Sequence, residues 1–334
     1  MERISKGFSA SYYMAIVDKR TWNDISRLEI TGGNISRYIT GLRESADIDC
    51  PGYKPGEERW IRIWLDARQR GSSAHEALFT GLACSPAIKI DGTAREVPLE
   101  CYSVLKPAED YLLQRGWYAP SEANGAEMVR DMLRSTIPGP VVIEGTSPCL
   151  QQAIIAEDGE SALTMADKIL DAIGWRITIN GMGVVTICEQ ADSPSAEFGN
   201  EFDVLETAVE IENDWFDCPN VFRAVSDDMT AVARDDSEVS ALSTVVRGRE
   251  VWMEETNCDM NDGESIEEYA LRRLKEEQAR STAISYSRRF LPDIGPGDLI
   301  KLNYPAQSLQ GVYKISEQTI ELGYGAKMTE EVNA

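Results

Sequence analysis

The sequence predicts an α+β, β-rich fold, and three observations carry that reading. β-Branched and aromatic runs of strand length recur near both ends of the 334 residues. A segment with two amphipathic helices and a hairpin lies between them. In the last third, a capped helix and further short strands surround the turn Gly295-Pro296-Gly297-Asp298. Strand-rich ends flanking a mixed unit permit two barrels of similar build. A chain of this length also exceeds one typical domain of roughly 100–200 residues.

From Tyr12 to Tyr102 the pattern is mostly that of strands. Trp60 to Leu65 is β-branched and aromatic, and Ala46, Ile48 and Cys50 alternate with Asp47 and Asp49, the period of two that marks a half-buried strand. Leu78 to Gly81 and Ala87 to Ile90 follow, and the turn Asp91-Gly92 leads into Glu96 to Tyr102. Short strands at this spacing predict a small barrel or sandwich. The region from about Leu105 to Gln190 reads as a small α/β unit. Ala126 to Leu133 carries helix formers, with Met128, Val129, Met132 and Leu133 on one side. Ser161 caps a second helix whose stripe is Leu163, Ala166, Ile169, Leu170 and Ile173, and Gly174 ends it. Trp175, Ile177 and Ile179 then alternate with Arg176 and Thr178, Asn180-Gly181 supplies turn residues, and Val184 to Cys188 returns as the second hairpin strand.

Strand patterns resume at Leu205 to Ile211 and Asn220 to Val225, and the polar stretch Ser226 to Ser240 reads as a long loop. Val245 to Trp252 reads as a strand. Ser265-Ile266-Glu267-Glu268 is a capping box, in which hydroxyl and carboxylate satisfy end amides reciprocally, so a helix is expected over 265–283. Its narrow apolar stripe is Ile266, Tyr269, Ala270 and Leu274. Ala283 to Phe290, Leu299 to Leu302 and Gly311 to Ile315 read as strands, and the tail from Gly323 as loosely ordered.

The formal charge of −23 argues against nucleic-acid binding by phosphate neutralisation, which needs Lys and Arg. The acidic surplus includes Glu206, Glu210, Glu212, Asp214 and Asp217, and the pairs Asp227-Asp228, Asp235-Asp236 and Glu254-Glu255. It reads either as solvated surface or as a wall facing something that must not stick. No apolar run is long enough for a membrane span, and the start lacks the build of a signal peptide, so synthesis and retention in a cytosol are expected, without membrane insertion. Seven scattered cysteines, none in a Cys-x-x-Cys clip, read as reduced structural thiols.

Motifs that could carry chemistry are weak. The lone histidine, His75, sits in a polar stretch with no nucleophile elbow beside it, and a solvated loop histidine is the simpler reading. Carboxylate pairs arise freely among 56 acidic residues. Asn257, Asp259, Asn261 and Glu268 have the spacing of calcium-loop ligands, but Gly263 falls one residue late and the first position lacks a carboxylate. Nucleotide-binding glycine motifs are absent, and Gly323-Tyr324-Gly325-Ala326-Lys327 lacks a following helix. No catalytic, cofactor-binding or metal residue is therefore assigned, and no cofactor is expected.

The order of elements resembles that of phage tail baseplate hub proteins, the family that includes late control protein D-like tail hubs. Arg43 to Cys50, Trp60 to Leu65 and Leu78 to Gly81 are similar to that family's first barrel, and Val97 to Leu105 to the strand that leaves it. Gly159 to Leu163, the helix and the Asn180-Gly181 hairpin resemble its inserted α/β domain. Asn220 to Ala224 and Ile294 to Ile300 are similar to its second barrel. The resemblance thus implies two small β-barrel domains, at 1–104 and 191–334, flanking an inserted α/β domain at 105–190, with the helix 265–283 inside the second barrel region.

The same resemblance implies a structural, non-enzymatic hub: a homotrimer forming a pseudo-sixfold ring that joins the tail tube to the spike or tip. Its partners would be the tail tube or distal tail protein, the spike or tail-tip protein and the tape-measure protein, with DNA passing through without specific binding. Its place would be the virion tail, assembled in the host cytoplasm. No appended peptidase, lysozyme or spike module is expected within the 334 residues. The competing readings are a muralytic hydrolase built on a carboxylate pair and a peripheral tail-tip binding module.

Overall fold

The computed structural model describes residues 9–54, 56, 58–69, 72–84, 88–92, 94–199, 204–213, 215–226, 229–256, 258, 260, 264–288, 294–305, 309–323 and 327–333. The first stretch carries β1 (Ser9–Val17), β2 (Asp24–Glu29), β3 (Gly32–Tyr38), β4 (Glu44–Asp49), β5 (Arg59–Gln69), β6 (Ser72–Cys84), β7 (Lys89–Asp91), β8 (Ala94–Glu96) and β9 (Pro98–Ser103). The middle carries α1 (Lys106–Asp110), β10 (Tyr118–Ala119), α2 (Gly125–Thr136), β11 (Val141–Ile143), β12 (Ile154–Ile155), α3 (Ala162–Ala172), β13 (Trp175–Ile179) and β14 (Val185–Glu189). The last carries β15 (Pro194–Phe198), β16 (Val204–Asn213), β17 (Val221–Ser226), β18 (Met229–Arg234), α4 (Thr244–Arg247), β19 (Trp252–Thr256), α5 (Ile266–Arg280), β20 (Thr282–Arg288), β21 (Leu299–Tyr304), β22 (Leu309–Glu321) and β23 (Met328–Asn333).

One thirteen-stranded sheet links the first and last stretches in the order β16-β20-β23-β22-β3-β4-β9-β6-β5-β1-β2, with β15 attached through β21 to β22. Strand β22 is the joint. Its first half pairs with β21 over Leu309–Lys314, its second half pairs with β3 over Glu317–Glu321, and β23 lines the other edge. Among the described residues this pairing closes no barrel, and the sheet ends on β2 and β16. The predicted β-rich, α+β character is observed as several sheets with helices packed at two places.

The period of two sets the first core. Met14, Ile35, Ala46, Ile48, Ile61 and Ile63 project from neighbouring strands into one buried cluster, which also takes Ile320 and Met328 from the far end of the chain. In the middle, α2 and α3 cover the sheet β11-β14-β13, burying Val129, Leu133, Ile169 and Trp175. Asn124 Oδ1 accepts from Glu127 N at the start of α2, and Ser161 Oγ accepts from Thr164 N at the start of α3. These caps satisfy amides that the helix itself leaves orphaned. The hairpin β13–β14 forms as the alternation indicates, with a connection longer than two residues in which Asn180 Oδ1 accepts from the amides of Met182 and Val184.

The last third departs from the sequence reading in four places. The helix expected over 265–283 ends at Arg280, and residues 282–283 open β20 instead. The tail read as loosely ordered carries β23, which pairs with both β20 and β22. The stretch 226–240 is not a long loop: β18 forms a hairpin with β17, and Ala231 and Ala233 pack under α5. Asp227 and Asp228 lie outside the described residues. The run from Val245 is not a strand at its start, because Ser243 Oγ accepts from Val246 N and Gly248, at φ 64°, closes a single helical turn, α4. The strand starts only at Trp252. α5 has both halves of the predicted capping box, and Ile266, Tyr269, Ala270 and Leu274 are all buried, against β17 and β18. The sheet β18-β17-β19 with α5 thus has its own core, separate from that of Phe198, Ile284, Ile300 and Ile315 around β20 to β22.

Candidate functional site

The joint at β22 is built from buried charge. Arg37 on β3 donates from Nη1 to Gln318 Oε1 on β22 at 3.1 Å, and from Nη2 to the Leu78 carbonyl at 2.8 Å. Gln318 Nε2 passes the chain on to Glu330 Oε1 on β23 at 2.7 Å and also donates to the Ile294 carbonyl at 2.7 Å. Glu330 is in turn held by Arg288 on β20, through Nε at 2.6 Å and Nη2 at 2.5 Å, and by the Tyr286 hydroxyl at 2.8 Å. Arg288 also lies over the Phe198 ring at 5.3 Å. Every one of these polar side chains is buried. Removing a charged group from water costs several kcal/mol unless its partners are geometrically good, so this network favours one relative placement of the strands it crosses.

Glu44 extends the network. It pairs with Arg37 across β3 and β4, its Oε2 lies 3.9 Å from Arg37 Nε, and its Oε1 has no hydrogen-bond partner among the described residues. Burial pushes its carboxyl up to about 8, against the opposing pull of Arg37. Burial likewise pushes the Tyr286 hydroxyl up, with Glu330 adding to the effect.

Sequence reasoning missed all of these residues, although a signal was present. Arg37 stands two residues from Ile35, Glu44 two from Ala46, Gln318 two from Ile320, Arg288 two from Tyr286, and Glu330 midway between Met328 and Val332. In a period-two strand that spacing puts each on the apolar, inward face.

The middle unit is fastened to the first sheet beside this network. Its 180–184 loop lies on β6: Thr80 Oγ1 donates to the Gly181 carbonyl at 2.7 Å, and Trp22 Nε1 to the Met182 carbonyl at 2.9 Å. Buried Arg62 binds Asp24 Oδ1 at 2.5 Å and Thr80 Oγ1 at 2.9 Å, and reaches the Met182 carbonyl at 3.3 Å. Arg43 reaches Asp167 on α3 at 2.6 Å, and Arg176 reaches Asp298 in the Gly-Pro-Gly-Asp turn at 2.7 Å. A polar cleft of about 630 Å³ remains where the three regions meet, lined by Arg37, Arg43, Glu44, Arg176, Gly181 and Asp298 among others. A Cβ at Gly181 would lie 1.8 Å from the Ala77 carbonyl oxygen, a backbone atom that cannot yield locally. Gly181→Ala is therefore expected to lift this loop from β6 and cost about 1–3 kcal/mol. Hydrogen exchange checks it, as faster exchange of β13 and β14 amides; unchanged protection would show that the loop is not the fastening point.

The motifs weighed from sequence take structural places. His75 is on β6 rather than in a loop, with Nδ1 2.6 Å from Asp66 Oδ1 and its ring stacked on Trp64 at 4.3 Å. Hydrogen bonds from His75 and Arg27 hold the Asp66 carboxyl below the usual range. Of the calcium-loop residues, Asn257, Asp259, Asn261 and Gly263 lie outside the described residues, and Glu268 Oε2 accepts from Ser265 N at 2.9 Å as half of the capping box. Among the described residues no cluster of three or more metal-ligating side chains is found. Several acidic residues singled out as surface are engaged internally. Glu255 accepts from Tyr269 Oη at 2.7 Å and Arg273 Nε at 3.0 Å, and Asp235 from Ser240 Oγ at 2.8 Å and Gln278 Nε2 at 3.2 Å. Glu210, Glu212 and Asp217 remain exposed.

No sequence-family model matches the chain, and no curated protein sequence does either. Solved structures do. The tail protein from Neisseria meningitidis MC58 superposes with a TM-score of 0.70 at 13% identity, covering 98% of this chain and 97% of that one. The 43 kDa tail protein of prophage MuSo2 from Shewanella oneidensis gives 0.70 at 12% identity, covering 97% of each. A chain of the Francisella PdpA–VgrG complex gives 0.57 at 9% identity, and 99% of this chain covers 59% of it. The chain therefore has the fold of phage tail proteins along nearly its whole length, in keeping with the tail-hub resemblance read from its sequence.

Proposed function

We propose that a chain sharing the fold of phage tail proteins from end to end serves as the structural hub of a phage or phage-like tail. In this reading it has two barrel-like domains, at 1–104 and 191–334, flanking the α/β unit at 105–190. Three copies form a ring of pseudo-sixfold symmetry in the virion tail, after assembly in the host cytoplasm. The ring joins the tail tube or distal tail protein to the spike or tip, and surrounds the path of the tape-measure protein and the DNA. The observation that carries the reading is the match over 98% and 97% of the two chains.

Physical features support it. Strands β2, β16 and β15 are each paired on one side only among the described residues, and such edges offer backbone donors and acceptors that assembly would cover. A surplus of carboxylates keeps phosphates from sticking along a channel wall, an effect confined to about 8 Å from each charge at physiological salt. The role needs no catalytic residue.

Light scattering over a wide concentration range, with negative-stain imaging of the largest species, tests the proposal. A trimer with a central hole and near-sixfold outline is expected, and it should bind tube subunits. A monomer that fails to bind tube subunits would overturn the hub reading, and lysis of peptidoglycan in a zymogram would overturn its non-enzymatic character.

A further inference from the structure

The sheet β18-β17-β19, with α4 and α5, is inserted between two neighbouring strands of the large sheet. Asn213 ends β16 and faces Thr282, the first residue of β20. The chain therefore leaves the large sheet and re-enters it at points about 5 Å apart, one strand spacing. Because β16 is the last strand in the sheet order, this two-strand stem stands at an end of the sheet.

The contacts that hold the inserted unit together lie within it. Asn220 Nδ2 donates to the carbonyls of Leu242 and Arg249 at 3.1 and 3.0 Å. Arg247 Nη1 donates to the Cys218 carbonyl at 2.7 Å, and Gln278 Nε2 to the Pro219 carbonyl at 3.3 Å, so both ends of the unit are tied to its own interior. Arg273 on α5 reaches Glu255 on β19 at 3.0 Å. The core joins Phe222, Ala224, Ala231 and Ala233 to Ile266, Ala270 and Leu274, and takes no residue from outside 222–274. Among the described residues, no hydrogen bond or ion pair runs from 215–281 to the first sheet or the middle unit.

The middle unit is attached in another way. It shares its core with Val17 and Trp60 of the first sheet, and it is fixed at three further points: Thr80 to Gly181, Arg43 to Asp167, and Arg176 to Asp298. Compact units of one chain move relative to each other unless a large apolar interface joins them, and the hinge is a few residues at the ends of elements. The middle unit has such an interface and the inserted unit does not. We propose that residues 215–281 form a pivoting arm that turns as a rigid body on the β16–β20 stem. An arm hung in this way follows the surface of a partner while the strands around β22 keep their register. The inference concerns a single copy and does not depend on the ring reading.

Distance measurements between nitroxide labels on the full chain test it. The half-buried and exposed thiols are first removed as Cys84→Ser, Cys149→Ser and Cys188→Ser, and labels are placed in pairs at the exposed positions Glu100, Glu127, Thr230 and Glu267. Labelled protein is diluted into unlabelled chain, so that each distance is read within one copy. The pair 100/127, from first sheet to middle unit, and the pair 230/267, inside the arm, are expected to give narrow distributions. The pair 100/230, from first sheet to arm, is expected to give one about twice as broad or more. A 100/230 distribution as narrow as that of 100/127 overturns the pivot, because the arm is then fixed. A 230/267 distribution as broad as that of 100/230 also overturns it, because the unit then does not turn as one body. If the thiol-free background fails to fold, the same four positions take a ketone-bearing amino acid for labelling in the natural chain, under the same criteria.

Discussion

Glu330→Ala is expected to lower stability by roughly 3–5 kcal/mol, the largest loss of any single truncation in the joint. Glu330 is the common acceptor for Arg288, Tyr286 and Gln318, all buried, so its removal takes the carboxylate from a buried guanidinium, the acceptor from the Tyr286 hydroxyl and one of the two acceptors of Gln318 Nε2. Water cannot replace it unless the sheet opens. Denaturant unfolding followed by tyrosine and tryptophan signals measures the loss, and hydrogen exchange locates it in β20, β22 and β23. Replacing the charged pair together, as Arg288→Met with Glu330→Leu, should recover much of the stability, because the desolvation of both ions disappears with them. A single-variant loss below about 1 kcal/mol would mean that the guanidinium reaches solvent and that the network does not hold the strands.

Glu44→Gln is expected to remove a pH dependence. In the folded chain burial raises the Glu44 carboxyl to about 8, whereas in the unfolded chain it has an ordinary carboxylate value of about 4.3. Between those values the folded state holds a proton that the unfolded state releases, so stability falls as pH rises. The contribution is fully present below about 4.3 and is lost above about 8, with a limiting slope of about 1.4 kcal/mol per pH unit. Glutamine keeps the shape of the side chain and carries no titrating proton. Unfolding of both proteins at pH 5, 6.5 and 8 should therefore show wild type losing stability relative to the variant as pH rises. A constant difference across that range would place the Glu44 carboxylate in a solvated or fully paired setting.

Local physics made much of the fold legible. The capping box at Ser265 and Glu268, the cap at Ser161, and the alternation through Ala46 and Ile48 each require only neighbouring residues, and each forms as read. The misread segments are those where a local signal is outweighed. β-Branched Val245 and Val246 favour a strand, yet Ser243 and Gly248 bracket them with the two ends of a helical turn. Ala231 and Ala233 carry little strand signal, and only the cover of α5 makes their face a buried one.

The candidate site was less legible than the elements that carry it. Charged residues at inward positions of Arg37, Glu44, Arg288 and Glu330 look like exceptions to the apolar pattern when each strand is read alone. They become a network only because β3, β22, β23 and β20 stand side by side, which brings residue 37 next to residue 318. What the sequence determined by itself is which segments become helices and strands and which faces are apolar, since those follow from periodicity and capping within a few residues. The tertiary structure alone decided that one strand, β22, joins the first and last stretches of the chain into one sheet, that the middle unit is fastened at Gly181, and that the buried charges meet. Those outcomes depend on contacts between residues up to hundreds of positions apart, where chain closure and packing choose the partner and no local preference does.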